Sequence, residues 1–164
     1  MEPMILPFSY PQTDSTEFTD QQQLTIQEAL CILESHIRTT EGLTSSEKVK
    51  QFCLLHGADQ KDEHFSCLFL DNHHRLISFE RLFSGTIDGA SVYPRVVLRR
   101  ALELNAAALI FTHNHPSGLP EPSEADKAIT SRLKNALNLV DIRVLDHIVV
   151  GSEGTVSMAE RGML

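Results

Sequence analysis

Residues 106–126 read AAALIFTHNHPSGLPEPSEAD. Residues 106–112 form an apolar run, as expected of a central strand buried on both faces. The run ends in His113-Asn114-His115, breaks at Pro116-Ser117-Gly118 and restarts as a helix at Ser123, with Asp126 in the first turn. Side chains on a strand alternate faces, so His113 and His115 project to the same side where the strand leaves the sheet. Two imidazoles and a carboxylate suit zinc, and three protein ligands leave a fourth tetrahedral position for water, the mark of a catalytic rather than a closed structural site. The same residues also spell a helix start, with Ser123 as N-cap and the acids Glu124 and Asp126 favoured by the helix dipole. Ser123 and Asp126 alone are explained by capping; their coincidence with the histidine pair is what points to a metal centre.

The rest of the chain reads outward from that stretch as an ordinary globular protein. Its 164 residues, 41% of them hydrophobic and 22% charged, suffice for a single core. Three cysteines, Cys31, Cys53 and Cys67, fit no CxxC spacing and suggest reduced thiols in a cytoplasmic protein. No secretory segment is expected, because Glu2 stands where a positive region would lie and Pro3, Pro7 and Pro11 interrupt the early apolar residues. No run reaches the ~20 apolar residues of a membrane span. A net charge of −8 disfavours non-specific contact with phosphate backbones.

Residues 1–23 carry prolines and the Gln21-Gln22-Gln23 run and read as a mobile tail. Residues 24–60 read as a short helical N-terminal segment: Ile26, Leu30, Leu33 and Ile37 share a face, and a second helix starts at the capping box Thr44-Ser45-Ser46-Glu47, turns Val49, Phe52 and Cys53 inward and stops at Gly57. Residues 61–164 form the main domain. There, 64–70 and 76–84 read as a hairpin around Asp71-Asn72-His73-His74. Its second strand is expected to put Ile77, Phe79 and Phe83 on one face and Ser78 and Glu80 on the other with Leu76 and Leu82. Glu80 is a charge in the body of a strand, which demands a salt bridge or a site.

A helix from Pro94 to about residue 104 follows, with Arg95, Arg99 and Arg100 on or near its outer face: a solvated surface, or a cationic rim for an acidic substrate. Ile142 to Val150 and residues 155–158 read as further strands, giving an α/β fold with a mixed β-sheet flanked by helices. Asp146 and His147 are neighbours on one strand and so cannot address the same atom; His147 reads as structural or as a support for a ligand. His36, His56, His73 and His74 read as surface residues.

His-x-His, ten residues, Asp, with Ser three before the Asp, resembles the JAMM motif of the JAB1/MPN metalloprotease superfamily. HNHPSG, PSEAD and LDHIVVG, with GTI at residues 85–87, NAAALI at 105–110 and VLDH at 144–147, resemble its RadC branch over residues 64–162. The resemblance implies a cytidine-deaminase-like fold and a Zn2+-dependent metallopeptidase or isopeptidase. His113, His115 and Asp126 would hold the metal, Glu80 would take the place of the upstream catalytic glutamate, and Ser123 would donate to the tetrahedral oxyanion while capping its helix. A peptide or protein substrate follows from that activity. RadC proteins are associated with DNA repair, so action on or near nucleic acid is a second reading. It is weakened by the acidic charge and by the lack, before His64, of the glycine hairpin with which long relatives' helix-hairpin-helix segments hold phosphates. A third reading, a non-catalytic MPN interaction module, requires a lost ligand or glutamate. No oligomeric state is implied.

Overall fold

The apolar run from Ala108 onward and the first two residues of the His-Asn-His motif form one strand, β3 (Ala108–Asn114), buried along its whole length; Ala106 and Ala107 precede it. A computed structural model describes residues 18–39, 45–57, 62–85 and 92–164. β3 is the middle of a five-stranded sheet of order β2-β1-β3-β4-β5, formed with β1 (His64–Leu70), β2 (Leu76–Ser84), β4 (Arg143–Gly151) and β5 (Gly154–Ser157). β3 runs antiparallel to β1 and parallel to β4, so the sheet is mixed. That the strand reaches Asn114 is a change from the expected end at 112: His113 and Asn114 still pair with β4, opposite Val149 and Val150.

Alternation along β3 divides the interior in two. Leu109 and Phe111 join Phe65, Cys67 and Phe69 of β1 against α3 (Pro94–Glu103) and α4 (Glu124–Asn138), which contribute Val97, Ala101, Leu133 and Leu137. Ala108 and Ile110 face the other way, with Leu68, Leu70, Ile148 and Val150, against Val49, Phe52 and Cys53 of α2 (Ser46–Gly57). α2 therefore closes one face of the sheet, as a helix of the N-terminal segment that packs on the domain's sheet. Burial raises the Cys53 thiol to about 12 and the Cys67 thiol well above its ordinary value, so both are inert core residues, while Cys31 is exposed.

Several expectations change. α1 (Asp20–Thr39) begins at Asp20, four residues inside the expected tail, and the rest of that tail up to residue 17 lies outside the described residues. Thr44 of the expected capping box also lies outside them. On β2, Phe79 joins the α2 side together with Leu76, whereas Ile77, Leu82 and Phe83 pack on the α3/α4 side. Irregularities in the β1–β2 pairing at Phe65/Ser66 and Phe69/Leu70 break the strict alternation from which the faces were read. His56 is half-buried rather than a free surface residue, its ring 4.4 Å from those of both Phe52 and Phe79.

Candidate metal centre

At the end of β3 the rings of His113 and His115 meet, Nε2 to Nε2 at 2.9 Å. His115 lies one residue past the strand, but its N–H donates to Val150 O at 2.7 Å, which continues the pairing and keeps it on the side of His113. The chain then turns through Gly118, whose N–H returns to His115 O. Gly118 has φ of +91°, and a Cβ there would meet Ser152 Oγ at 2.6 Å; a Cβ on Gly151 would lie 2.1 Å from Gly118 O. Both glycines are needed for the loop to press onto the β4–β5 turn. That approach brings Leu119 O within 2.9 Å of His115 Nδ1. A carbonyl only accepts, so Nδ1 carries the proton and the Nε2 lone pair of neutral His115 is left facing His113 and Asp126.

Asp126 enters from the first turn of α4 and is buried. One carboxylate oxygen, Oδ1, is 3.2 Å from His113 Nε2, and Oδ2 is 3.6 Å from His115 Nε2. Oδ2 also accepts from the Ser123 N–H at 2.7 Å and the Ser123 hydroxyl at 2.6 Å, while Ser123 Oγ accepts from Asp126 N–H at 3.1 Å. This reciprocal capping box holds the carboxylate in one orientation. Burial works against ionisation of Asp126, but the adjoining imidazoles of His113 and His115 and the hydrogen bonds from Ser123 outweigh it and hold the carboxyl far below the ordinary range. The neighbouring Asp126 carboxylate in turn raises His115.

These donor atoms fit a small tetrahedral cation. Zinc with ligand distances of about 2.0–2.2 Å keeps its donors roughly 3.3–3.6 Å apart. Of the three spacings, 3.6 Å falls within that range and 3.2 and 2.9 Å below it, the two Asp126 distances being to different carboxylate oxygens.

Glu63 completes the group, and sequence reasoning missed it. One ligand atom each of Glu63, His113 and His115 lie within 4.8 Å of one another, a potential metal-binding triad. β1 runs antiparallel to β3 with Phe65 opposite His113, so the residue preceding β1 falls beside the end of β3. Asn114, whose side chain points away from the histidines, fixes that entry: its Oδ1 accepts from His64 N–H and its Nδ2 donates to Asp62 O, both at 2.9 Å, clasping the backbone on either side of Glu63. Glu63, His115, Pro116, Ser117, Ser123, Ala125 and Asp126 line an open cleft of about 420 Å³.

The structure does not bring Glu80 to this cleft. It lies opposite Cys67, which lies opposite Phe111, so it is two strands from β3, roughly 10 Å at ordinary strand spacing. Its carboxylate is occupied by Arg100 and Ser78, and the hydrogen bond from Arg100 holds it below the ordinary carboxylate range despite partial burial. The expected catalytic position of Glu80 is corrected accordingly: the carboxylate in the strand body meets its need for a partner with a salt bridge. Arg100 also bonds Glu103 at 3.0 Å, so it forms no rim to the cleft. Ser123 does line the cleft, but its hydroxyl proton is directed at Asp126.

This chain is similar to known proteins over most of its length. A family model described as a RadC-like JAB domain matches residues 43–163, a span that includes α2. Among curated relatives, a UPF0758 protein of Thioalkalivibrio sulfidiphilus is 62% identical over 124 residues, covering 76% of this chain and 55% of the relative. One of Nitrosococcus oceani is 58% identical over 80% of this chain and 59% of its own length, and one of Vibrio cholerae is 57% identical over 85% and 87%. The chain thus spans little more than half the length of the first two. Among the described residues no helix is long and apolar enough to cross a membrane.

Proposed function

This chain belongs to the RadC-like JAB family, and from that membership and the geometry of its cleft we propose that it is a zinc-dependent hydrolase of amide bonds in peptides or proteins, acting in the cytoplasm. The observation that carries the reading is the convergence of His113 Nε2, His115 Nε2 and the Asp126 carboxylate at separations of 2.9 to 3.6 Å, with a second carboxylate, Glu63, beside them in an open cleft. His113, His115 and Asp126 are the ligands. Asp126 is the better ligand carboxylate because it is buried, ionised and locked by its cap, whereas Glu63 is only partly buried at the start of β1 and keeps freedom to exchange a proton with solvent and substrate.

Held by His113, His115 and Asp126, a zinc ion would supply Lewis acidity, the chemistry that brings the pKa of a water down from 15.7 towards ~7. Glu63 then acts as general base, receiving the proton of the attacking water and returning it to the departing amine. Ser123 serves first to orient Asp126; any donation to the developing oxyanion requires its hydroxyl to turn away from Oδ2. The cleft is open to solvent on the side of Pro116 and Ser117, where a substrate backbone can enter.

The test is metal analysis of the purified protein followed by a peptide-hydrolysis screen of wild type against Glu63→Gln. About one zinc per chain is expected in both proteins, with hydrolysis reduced roughly 10²-fold to 10⁴-fold in the variant. A folded wild type that takes up no zinc, or a Glu63→Gln protein with unchanged turnover, overturns the reading.

A further inference from the structure

The ring of His113 has two ends, and the one turned away from the cleft enters a buried relay. Its Nδ1 lies 2.8 Å from Nε2 of His147, which has no exposed surface. Nδ1 of His147 lies 2.6 Å from Thr130 Oγ1, and Thr130 Oγ1 lies 2.5 Å from the main-chain carbonyl of Asp126. Phe65 and Phe111 meet the His147 ring edge-on, at centroid separations of 5.5 and 5.8 Å, and fix its plane. A histidine, a threonine and a carbonyl thus lead from one ligand back to the backbone of another.

The polarity of this relay follows from its terminus. The Asp126 carbonyl can only accept, so the Thr130 hydroxyl donates to it; the other neighbour of that hydroxyl, Met158 Sδ, is a weak acceptor 3.8 Å away. Thr130 Oγ1 then has lone pairs to offer, and His147 Nδ1 donates to it. A fully buried imidazole with no carboxylate in hydrogen-bond reach carries a single ring proton, so His147 Nε2 accepts. His113 Nδ1 must therefore donate, which leaves the lone pair of His113 on Nε2, facing His115 and Asp126. The opposite polarity would put the proton on Nε2 and block the position at which an ion binds.

We propose that His147 and Thr130 are positioning residues that lock His113 in the tautomer able to bind the metal, and thereby set the metal affinity of the centre. The inference rests on the ligand assignment above. It adds two residues that touch neither ion nor substrate, and a relay that ends on a neutral carbonyl, so that no negative charge is passed to His113. Outer partners of this kind are worth roughly 10-fold to 100-fold in metal affinity.

Thr130→Val keeps the shape of the side chain and removes the hydroxyl, while Thr130→Ser keeps the hydroxyl. Long-range nitrogen–proton correlation in the metal-free chain at about pH 8, above the ordinary histidine range, reads the tautomers directly. His147 is expected with its proton on Nδ1 in wild type and Thr130→Ser, shifting to Nε2 in Thr130→Val. Zinc affinity, measured by competition with a chelating dye, should fall roughly 10-fold to 100-fold in Thr130→Val and stay within about threefold of wild type in Thr130→Ser. A wild-type His147 protonated on Nε2, or a folded Thr130→Val that binds zinc as tightly as wild type, overturns the proposal. If Thr130→Val does not fold, the wild-type tautomer decides. A wild type that binds no zinc sinks the hydrolase reading, and the tautomers still decide the relay.

Discussion

Both carboxylate oxygens of Glu80 are held by the guanidinium of Arg100, Oε2 by Nε at 2.7 Å and Oε1 by Nη2 at 2.8 Å. A bidentate pair of this kind joins strand β2 to helix α3 and ties the carboxylate to Arg100, two strands away from β3 and the candidate metal centre. Glu80→Gln is therefore expected to keep zinc and hydrolysis while lowering Tm by only about 2–4 °C, since the pair is partly solvated. The sign of its pH dependence is set by Arg100, which depresses the folded-state pKa of Glu80. The stabilisation is complete above the unfolded pKa and is lost as pH falls through the folded one. Melting curves of wild type and Glu80→Gln should draw together as pH falls below the ordinary Glu pKa of about 4.3 and through the lowered folded-state value; a gap that stays constant in acid, or a loss of hydrolysis at neutral pH, contradicts this role.

Asn114 gives a second prediction. Its amide clasps the backbone at Asp62 and His64, so Asn114→Ala frees the entry to β1 without touching either histidine. Zinc content should be unchanged, while kcat falls roughly 10-fold to 100-fold because the base is no longer held in place. Asn114→Asp keeps the acceptor and loses the donor, and should fall between the two. A kcat equal to wild type in Asn114→Ala would show that Glu63 is positioned by other contacts.

The glycines beneath the loop yield a third. Gly151→Ala would drive a methyl to 2.1 Å from Gly118 O, a backbone atom that cannot turn aside, whereas Gly118→Ala meets only the movable hydroxyl of Ser152, at the cost of an unfavourable φ. Overpacking of this kind typically costs about 1–3 kcal/mol. Gly151→Ala should therefore lower Tm more than Gly118→Ala and should also weaken zinc binding, because the loop it displaces supplies the carbonyl that orients His115. Thermal melts with parallel zinc titrations check both orders.

Much of this could be read from local sequence. The apolar run, the His-x-His spacing and the Ser123 cap predict β3, the turn and the start of α4, because each depends on neighbours in the chain. The hairpin of β1 and β2 was legible for the same reason. Glu63 was not: its place beside the histidines depends on β1 lying antiparallel to β3, a pairing between segments some fifty residues apart that no local pattern encodes. Glu80, prominent as a charge within a strand, drew the assignment instead, and its true partner, Arg100, lies twenty residues away on a helix. His147 was legible as a support but not what it supports, since Thr130 and His113 meet it only in the folded chain. The faces of β2 were misread where irregular pairing with β1 shifts the alternation.

The central claim is that one zinc ion is held by His113, His115 and Asp126 with Glu63 beside it but unligated. An anomalous difference map at the zinc edge, from crystals of the full chain grown with zinc, tests it most directly. The account predicts one strong peak about 2.0–2.2 Å from Nε2 of each histidine and from an Asp126 carboxylate oxygen. A peak ligated by Glu63 in place of Asp126, or no peak between the two histidines, would contradict it.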